Sequence, residues 1–247
     1  MYHSLIRIYR WAIALTTMLI VGTICLFLVL VSFGYLRNFC VKYIFKYFSR
    51  FLLKIVGYSY ELPDIKRFPK HQVLYTLNHN SYLDTFLLTS LGLPNTRFIL
   101  SESTFKYVPM VIAAKAFGTF YIPQKKHAER RLRFFIRITS FLKRTNYSII
   151  GSAEGVHNHS HGIMPFNKGI FHMALEAKIP IALLYIHIPE EINPFDGKYS
   201  KSGKIHLEIL KEIDNSDWKL ENIWDEIAKV RKVYVDRFNE LNNSNIE

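Results

Sequence analysis

The sequence predicts an α/β domain, a mixed and mostly parallel sheet flanked by helices, preceded by an N-terminal membrane helix and an amphipathic interfacial helix. Three observations predict it. A long apolar run near the N-terminus lacks any charged residue. A basic stripe follows it at helical spacing. From about residue 70 onward, short β-prone segments alternate with longer helical ones.

The apolar run extends from Trp11 to Leu36 and is rich in Leu, Ile, Val, Ala and Phe. As a helix it would be about 39 Å long, more than the roughly 30 Å hydrocarbon core of a bilayer. It is too long for the apolar part of a signal peptide, and no small-x-small cleavage site follows. Arg37, Lys42, Lys46, Arg50 and Lys54 come next and outnumber Arg7 and Arg10 on the other flank, which places the body of the protein on the cytoplasmic side.

Lys42, Lys46, Arg50 and Lys54 recur every four residues between Asn38 and Gly57, with Phe, Tyr, Ile, Leu and Val around them. This pattern predicts a helix in the membrane interface, lysines among the phosphates. Two arrangements stay open, a spanning anchor and a hairpin that enters one leaflet. Residues 1–60 thus read as membrane-anchoring helices, and residues 61–247 as the α/β domain.

Formal net charge is +12, and residues 1–70 hold ten Lys or Arg against Glu61 and Asp64. Basic charge beside an apolar anchor points to an anionic membrane surface. Without a basic-aromatic recognition motif it does not point to nucleic acid. Cys25 and Cys40 are not spaced as a metal or redox pair and read as packing residues.

Within the domain, strands are expected at Gln72–Leu77, Arg97–Leu100, Thr119–Ile122, Tyr147–Gly151, Ile181–Ile188 and Lys204–Leu210. Helices are expected at Tyr82–Leu88, His127–Arg144, Phe166–Ala177 and Leu220–Asn242. The helix His127–Arg144 carries six cations against Leu132, Phe135, Ile136 and Leu142. It reads as an amphipathic surface helix, or as a basic contact surface for an anionic partner.

Chemistry concentrates in Asn78-His79-Asn80-Ser81-Tyr82-Leu83-Asp84, at the end of an apolar strand. A neutral imidazole is suited to remove a proton from a hydroxyl near neutral pH. A carboxylate on its other nitrogen fixes the tautomer and stabilises the imidazolium. Residues five apart on an ideal helix diverge by about 140°. The pair therefore works only if His79 sits at a strand-to-helix corner with Asp84 in the first helical turn. His-x4-Asp alone carries little weight: with ten histidines a chance match is a roughly one-in-four event. A solvated His beside a helix-capping Asp gives the same spacing.

The blocks that follow carry more. Gly118-Thr119-Phe120-Tyr121-Ile122-Pro123-Gln124, Ala153-Glu154-Gly155-Val156-His157, Phe166-Asn167-Lys168-Gly169 and Ala177-Lys178-Ile179-Pro180-Ile181-Ala182-Leu183 come in that order. With Asn78-His79 through Asp84 they resemble the glycerolipid acyltransferase superfamily, especially 1-acylglycerol-3-phosphate (lysophosphatidate) acyltransferases. The resemblance covers about Gln72 to Ile188.

It implies His79 as general base and Asp84 as its orienting partner. It also implies a substrate-binding set of Asn78, Ser81, Gly118, Gln124, Lys125, Glu154, Gly155, His157 and Lys168. The family's second and third blocks end in arginines associated with the acceptor phosphate; here those positions are Gln124 and His157. Lys125 and Lys126 follow Gln124 and supply charge without bidentate geometry.

The implied reaction moves a fatty acyl group from a coenzyme A or acyl-carrier-protein thioester to a lysophospholipid hydroxyl, with no cofactor and no metal. The two departures leave open a lyso-aminolipid acceptor and a non-catalytic lipid-binding relative. A hydrolase lacks a visible nucleophile elbow. His157, His159 and His161 form an alternating triplet with no carboxylate or cysteine partner at recognisable spacing and read as a polar loop. No residue beyond Pro189 receives a functional assignment.

Overall fold

The computed structural model describes residues 2–78, 81, 83–155, 162–189, 192 and 202–243. Helix α1 (Tyr2–Val31) comes first, then a short α2 (Arg37–Phe39), a π-helical turn (Cys40–Phe45) and α3 (Lys46–Val56). The domain continues with β1 (Tyr58–Glu61), β2 (Leu74–Leu77), α4 (Leu83–Thr89), β3 (Thr96–Ser101), α5 (Val108–Phe117), β4 (Phe120–Ile122) and α6 (Ala128–Arg144). It closes with β5 (Ser148–Ser152), α7 (Lys168–Ala177), β6 (Ile181–His187), β7 (Gly203–Ile213) and α8 (Ile223–Asn243).

The seven strands lie in the order β1-β7-β6-β2-β5-β3-β4. From β6 to β4 every pair is parallel; β7 runs antiparallel to β6, and β1 pairs parallel with β7. The mixed, mostly parallel sheet expected from the sequence is present. Its central strands read as unbroken apolar runs because both faces are covered. Leu74, Ile149, Ile181, Leu183 and Tyr185 pack to one side with Phe134 and Ile138 of α6, Phe171 of α7 and Tyr234 of α8. Their neighbours Tyr75, Ile150, Ala182, Leu184 and Ile186 pack to the other side with Leu83 and Leu87 of α4, Phe117 of α5 and Phe45.

Residues 11–56 pack into this second layer. Ala14, Met18, Cys25 and Val29 form a buried stripe on α1, and Gly22 brings the helix so close to α5 that a Cβ would sit 3.1 Å from Ala113 N. Leu19, Ile24, Phe27 and Leu30 of α1 face outward. Residues Ile8–Val31 form one helix long and apolar enough to cross a membrane.

The expected interfacial helix at 38–57 is divided by the π-helical turn, and its apolar residues split into two sets. Val41, Phe45, Leu52 and Leu53 are buried against the domain, while Phe39, Tyr43, Tyr47 and Phe51 stay exposed. These exposed aromatics, four residues apart, run beside the basic row, with Lys42 Nζ 5.3 Å from the Tyr43 ring centroid and Lys46 Nζ 5.8 Å from that of Tyr47. Edge strand β1, which straddles residue 60, was not among the expected strands. Nor was α5 singled out, because VPMVIAAKAF is apolar on nearly every side and has no amphipathic period.

The chain leaves β2 and β5 toward opposite faces, β2 into α4 and β5 into α7. Adjacent parallel strands whose connections diverge open a crevice at their carboxyl ends.

Candidate active site

A cleft of about 380 Å³ lies in that crevice. Leu77, Ser101, Ile122 and Ser152 bring it the ends of β2, β3, β4 and β5; Asp84 and Thr85 open α4 on one side. Gln124, Lys125 and Arg131 stand on the side formed by the β4–α6 connection, and Gly155, Asn167 and Gly169 close the floor.

Asp84 falls in the first turn of α4, as the spacing requires, and is 1% exposed. Its position is set by a compact polar turn. The Ser81 N–H donates to Asp84 Oδ2 at 3.1 Å, Ser81 Oγ accepts from the Leu83 N–H at 3.2 Å, and the Asp84 N–H donates to the Ser81 carbonyl at 3.2 Å. Ser81 thus satisfies helix-start donors and orients the carboxylate; it is fully buried and acts as a cap. His79, the expected base, lies outside the described residues, as does His157.

Asn78 is fully buried beside the cleft, and both ends of its amide are used: Nδ2 donates to the Ile186 carbonyl at 2.8 Å and Oδ1 accepts from the Ile186 N–H at 2.9 Å. It imitates a strand residue and locks the end of β2 to β6. Gly155 has a φ of +68° and lies so close to Asn167 that a Cβ would meet its Nδ2 at 2.9 Å. Asn167 in turn donates from Nδ2 to the Glu154 carbonyl at 2.5 Å and from its backbone to the Ala153 carbonyl at 2.8 Å. Glu154 is buried under this loop near Tyr234. Burial, and then the Glu154 charge, push the Tyr234 phenol well up, and that hydroxyl donates to the Thr76 carbonyl at 2.8 Å.

Two residues of the expected set stand away from the cleft. Lys168 is exposed, its Nζ 5.9 Å from the centroid of the Trp224 ring. Gly118 sits before β4, whereas Gln124 sits after it, and six residues of extended chain separate their ends by up to about 20 Å. A block contiguous in sequence is therefore split between the two ends of β4. Gly118 ends α5 with a φ of +73° and packs against Arg37 and Arg97 instead.

Arg131, seven residues after Gln124, was not among the expected site residues. From the first turn of α6 its Nη1 donates to the Pro123 carbonyl at 2.7 Å, and its guanidinium reaches the cleft over the edge of Phe135. Its neighbour Arg130 is paired with Glu102 at 2.5 Å, whereas Arg131 has no carboxylate partner among the described residues. Burial holds its pKa below the usual arginine value. In sequence it is one of six cations on an amphipathic helix. Only the rotation of α6, set where Phe135 packs on Gly169, turns this one inward.

Among the described residues no group of three or more His, Cys, Asp or Glu is placed to hold a metal ion. A narrower apolar pocket of about 40 Å³ lies between α1, α3, α4 and α5, and shares Thr85, Phe98, Leu100 and Met110 with the cleft.

Comparison with known proteins adds to this geometry. A family model described as Acyltransferase matches residues 60–187, just over half of the chain. The 1-acyl-sn-glycerol-3-phosphate acyltransferase of Saccharomyces cerevisiae is 25% identical over 209 residues, covering 83% of this chain and 66% of that protein. The enzyme of the same name from Haemophilus influenzae is 25% identical over 247 residues, 96% of each chain. Against the yeast protein and other eukaryotic relatives, the chain spans less than two thirds of their length. The crystal structure of the 1-acyl-sn-glycerophosphate acyltransferase of Thermotoga maritima has the same fold, with a TM-score of 0.77 at 17% identity over 96% of both chains.

The Asn78 geometry makes a separable prediction. Asn78→Ala leaves a buried N–H and a buried carbonyl of Ile186 without partners and is expected to cost about 1–3 kcal/mol, read as a lower midpoint of denaturant unfolding. A side chain that only touched substrate would leave the midpoint in place and raise KM.

Proposed function

The chain belongs to the Acyltransferase family, and on that premise we propose that it is a membrane-associated enzyme transferring a fatty acyl group from a coenzyme A or acyl-carrier-protein thioester to the free hydroxyl of a lysophospholipid such as 1-acylglycerol-3-phosphate. The observation that carries the proposal is the Ser81–Asp84 corner, a buried and oriented carboxylate at the mouth of a cleft whose opposite side bears Lys125 and Arg131.

In this reading His79 takes the proton of the acceptor hydroxyl as its oxygen attacks the thioester carbonyl. The tetrahedral intermediate collapses, the C–S bond breaks, and the thiolate takes up the proton that His79 carries. Asp84 holds the imidazole in the required tautomer and stabilises the imidazolium. Both substrates are held together, so no acyl-enzyme is needed. Arg131 and Lys125 would receive the acceptor's phosphate, Arg131 with the planar fork that Gln124 lacks. The apolar pocket adjoining Thr85 would take the start of an acyl chain. As it stands it is too small for a whole chain, so α1 and α5 would have to part for one to enter.

Membrane association rests on the outward-facing surface of α1 and on the aromatic and basic rows of the segment after it. The excess of cations on the flank after α1 supports a catalytic domain on the cytoplasmic side. Gln124 in place of an arginine favours one second reading, a lysolipid with another headgroup such as a lyso-aminolipid.

The test is transfer of a labelled acyl group from a thioester by detergent-purified protein to lysophosphatidate, lyso-aminolipids and other lysolipids. Wild type is expected to acylate at least one of them, and His79→Ala to lose about 10³-fold or more in kcat while still associating with membranes. Equal turnover in His79→Ala, or no transfer by wild type to any acceptor, would sink the proposal. For Arg131, replacement by Met is expected to raise KM for lysophosphatidate by about tenfold without changing KM for the donor. Gln124→Arg in that background is expected to recover the loss. A rise in donor KM instead would assign Arg131 to the phosphates of coenzyme A.

A further inference from the structure

Two arginines meet at the amino ends of β3 and β4, opposite the cleft at the carboxyl ends. A Cβ on Gly118 would collide with Nη1 of Arg37 and with Nη1 of Arg97, the latter at 2.5 Å, so both guanidinium groups converge on one point above the C-terminal end of α5. Arg97 is only 7% exposed; its Nη1 donates to the Phe117 carbonyl at 2.5 Å and its guanidinium lies 4.3 Å from the centroid of the Tyr147 ring. Arg37 reaches it from α2, and its buried Nε has no hydrogen-bond partner. The approach is built into the fold. Asn38 Nδ2 donates to Asn95 Oδ1 at 2.6 Å and the Asn95 N–H donates to Asn38 Oδ1 at 3.0 Å, lashing α2 to the residue just before β3.

Among the described residues neither guanidinium has a carboxylate partner. Two like charges brought together away from water repel, and an unpaired buried donor adds to the cost. Desolvation, with Arg37 as the next cause, holds the Arg97 pKa down to about 10. Arg97 is held by the Phe117 carbonyl at the end of α5 and by Tyr147, but no described carboxylate stands between the two planar forks and the Arg37 Nε is unpartnered, an arrangement that an anion from outside would complete.

We propose that Arg37 and Arg97 form a binding site for a phosphate oxyanion, distinct from the Asp84 cleft. The surroundings favour a phospholipid headgroup as its source. Phe33 is 94% exposed and Tyr35 and Phe39 are also exposed, so the turn that carries Arg37 presents an apolar fringe beside the basic row of Lys42 and Lys46. A headgroup bound here would tie the turn after α1 to β3 and α5, and so couple the anchor to the sheet. Free phosphate shares the recognition chemistry and is separated by the test.

The experiment measures the thermal midpoint of the full chain in neutral detergent, with added inorganic phosphate, with phosphatidylglycerol and with phosphatidylcholine, for wild type and Arg37→Gln. Arg37 is the half-buried partner, so its neutral variant keeps the Arg97 hydrogen bond to the Phe117 carbonyl at the end of α5. Wild type is expected to gain several degrees from an anionic ligand, and Arg37→Gln to gain less than half of that. A gain from phosphatidylglycerol alone identifies a headgroup; a gain from phosphate as well identifies an oxyanion site open to solvent. Both outcomes support the site. Equal shifts in wild type and Arg37→Gln would assign the effect to the Lys42 and Lys46 row and overturn the proposal, as would no shift with either anion. If Arg37→Gln does not fold, Arg37→Lys is read in its place, with a reduced gain expected because an ammonium cannot form the bidentate contact.

Discussion

At the carboxyl end of β2 the chain turns from a strand covered on both faces into a helix, and in doing so it buries Asn78, Ser81 and Asp84 within seven residues. Polar groups in such a place are tolerated only when their hydrogen bonds are made. Asn78 spends its amide on the backbone of Ile186, while Ser81 and Asp84 complete the first turn of α4. The cleft depends on this turn. If the end of β2 were not fixed to β6, the divergence between the β2 and β5 connections would have no stable edge, and the carboxylate would lose its orientation. The bonds that hold the end of the sheet thus also set the position of the Asp84 carboxylate.

Around this turn the two layers divide the labour. The layer of α6, α7 and α8 carries the cationic wall and the buried loop under Glu154 and Asn167. The layer of α1, α3, α4 and α5 carries the apolar pocket and the surface proposed to face lipid. A substrate with one charged end and one apolar end fits a cleft placed where these layers part. The buried stripe of α1 lines this pocket through Met18, across from Ala113 of α5. Arg37 and Arg97 stand at the far end of the same layer, so the proposed lipid contacts and the site are joined through α5.

Much of this was legible in the sequence, for reasons that can be named. The central strands announced themselves because burial on both faces demands unbroken apolar runs, and α6 and α8 because one-sided burial imposes a helical period. β1 was not legible: Tyr-Ser-Tyr-Glu is a short edge segment, and its strand identity comes only from pairing with β7, more than 140 residues later. Asp84 was found through spacing and motif, and the helical turn placed it as that spacing required. Gly118 and Gln124 read as one block, yet β4 between them sends them to opposite ends of the sheet. Arg131 was hidden because a cation on an amphipathic helix looks like its neighbours until the rotation of the helix is known. That rotation depends on a Gly169–Phe135 contact that no local pattern records.

The central claim is that the carboxylate at this turn serves chemistry as well as structure, and Asp84→Asn tests it most directly. Asparagine keeps an oxygen for the Ser81 N–H and nearly the same volume, so the thermal midpoint should move little. The measurement is kcat for acyl transfer beside that midpoint. A fall in kcat of about 10²–10⁴-fold with a nearly unchanged midpoint is the result predicted here. Retained kcat, or a loss of activity fully accounted for by unfolding, would leave Asp84 as a helix cap and contradict the account.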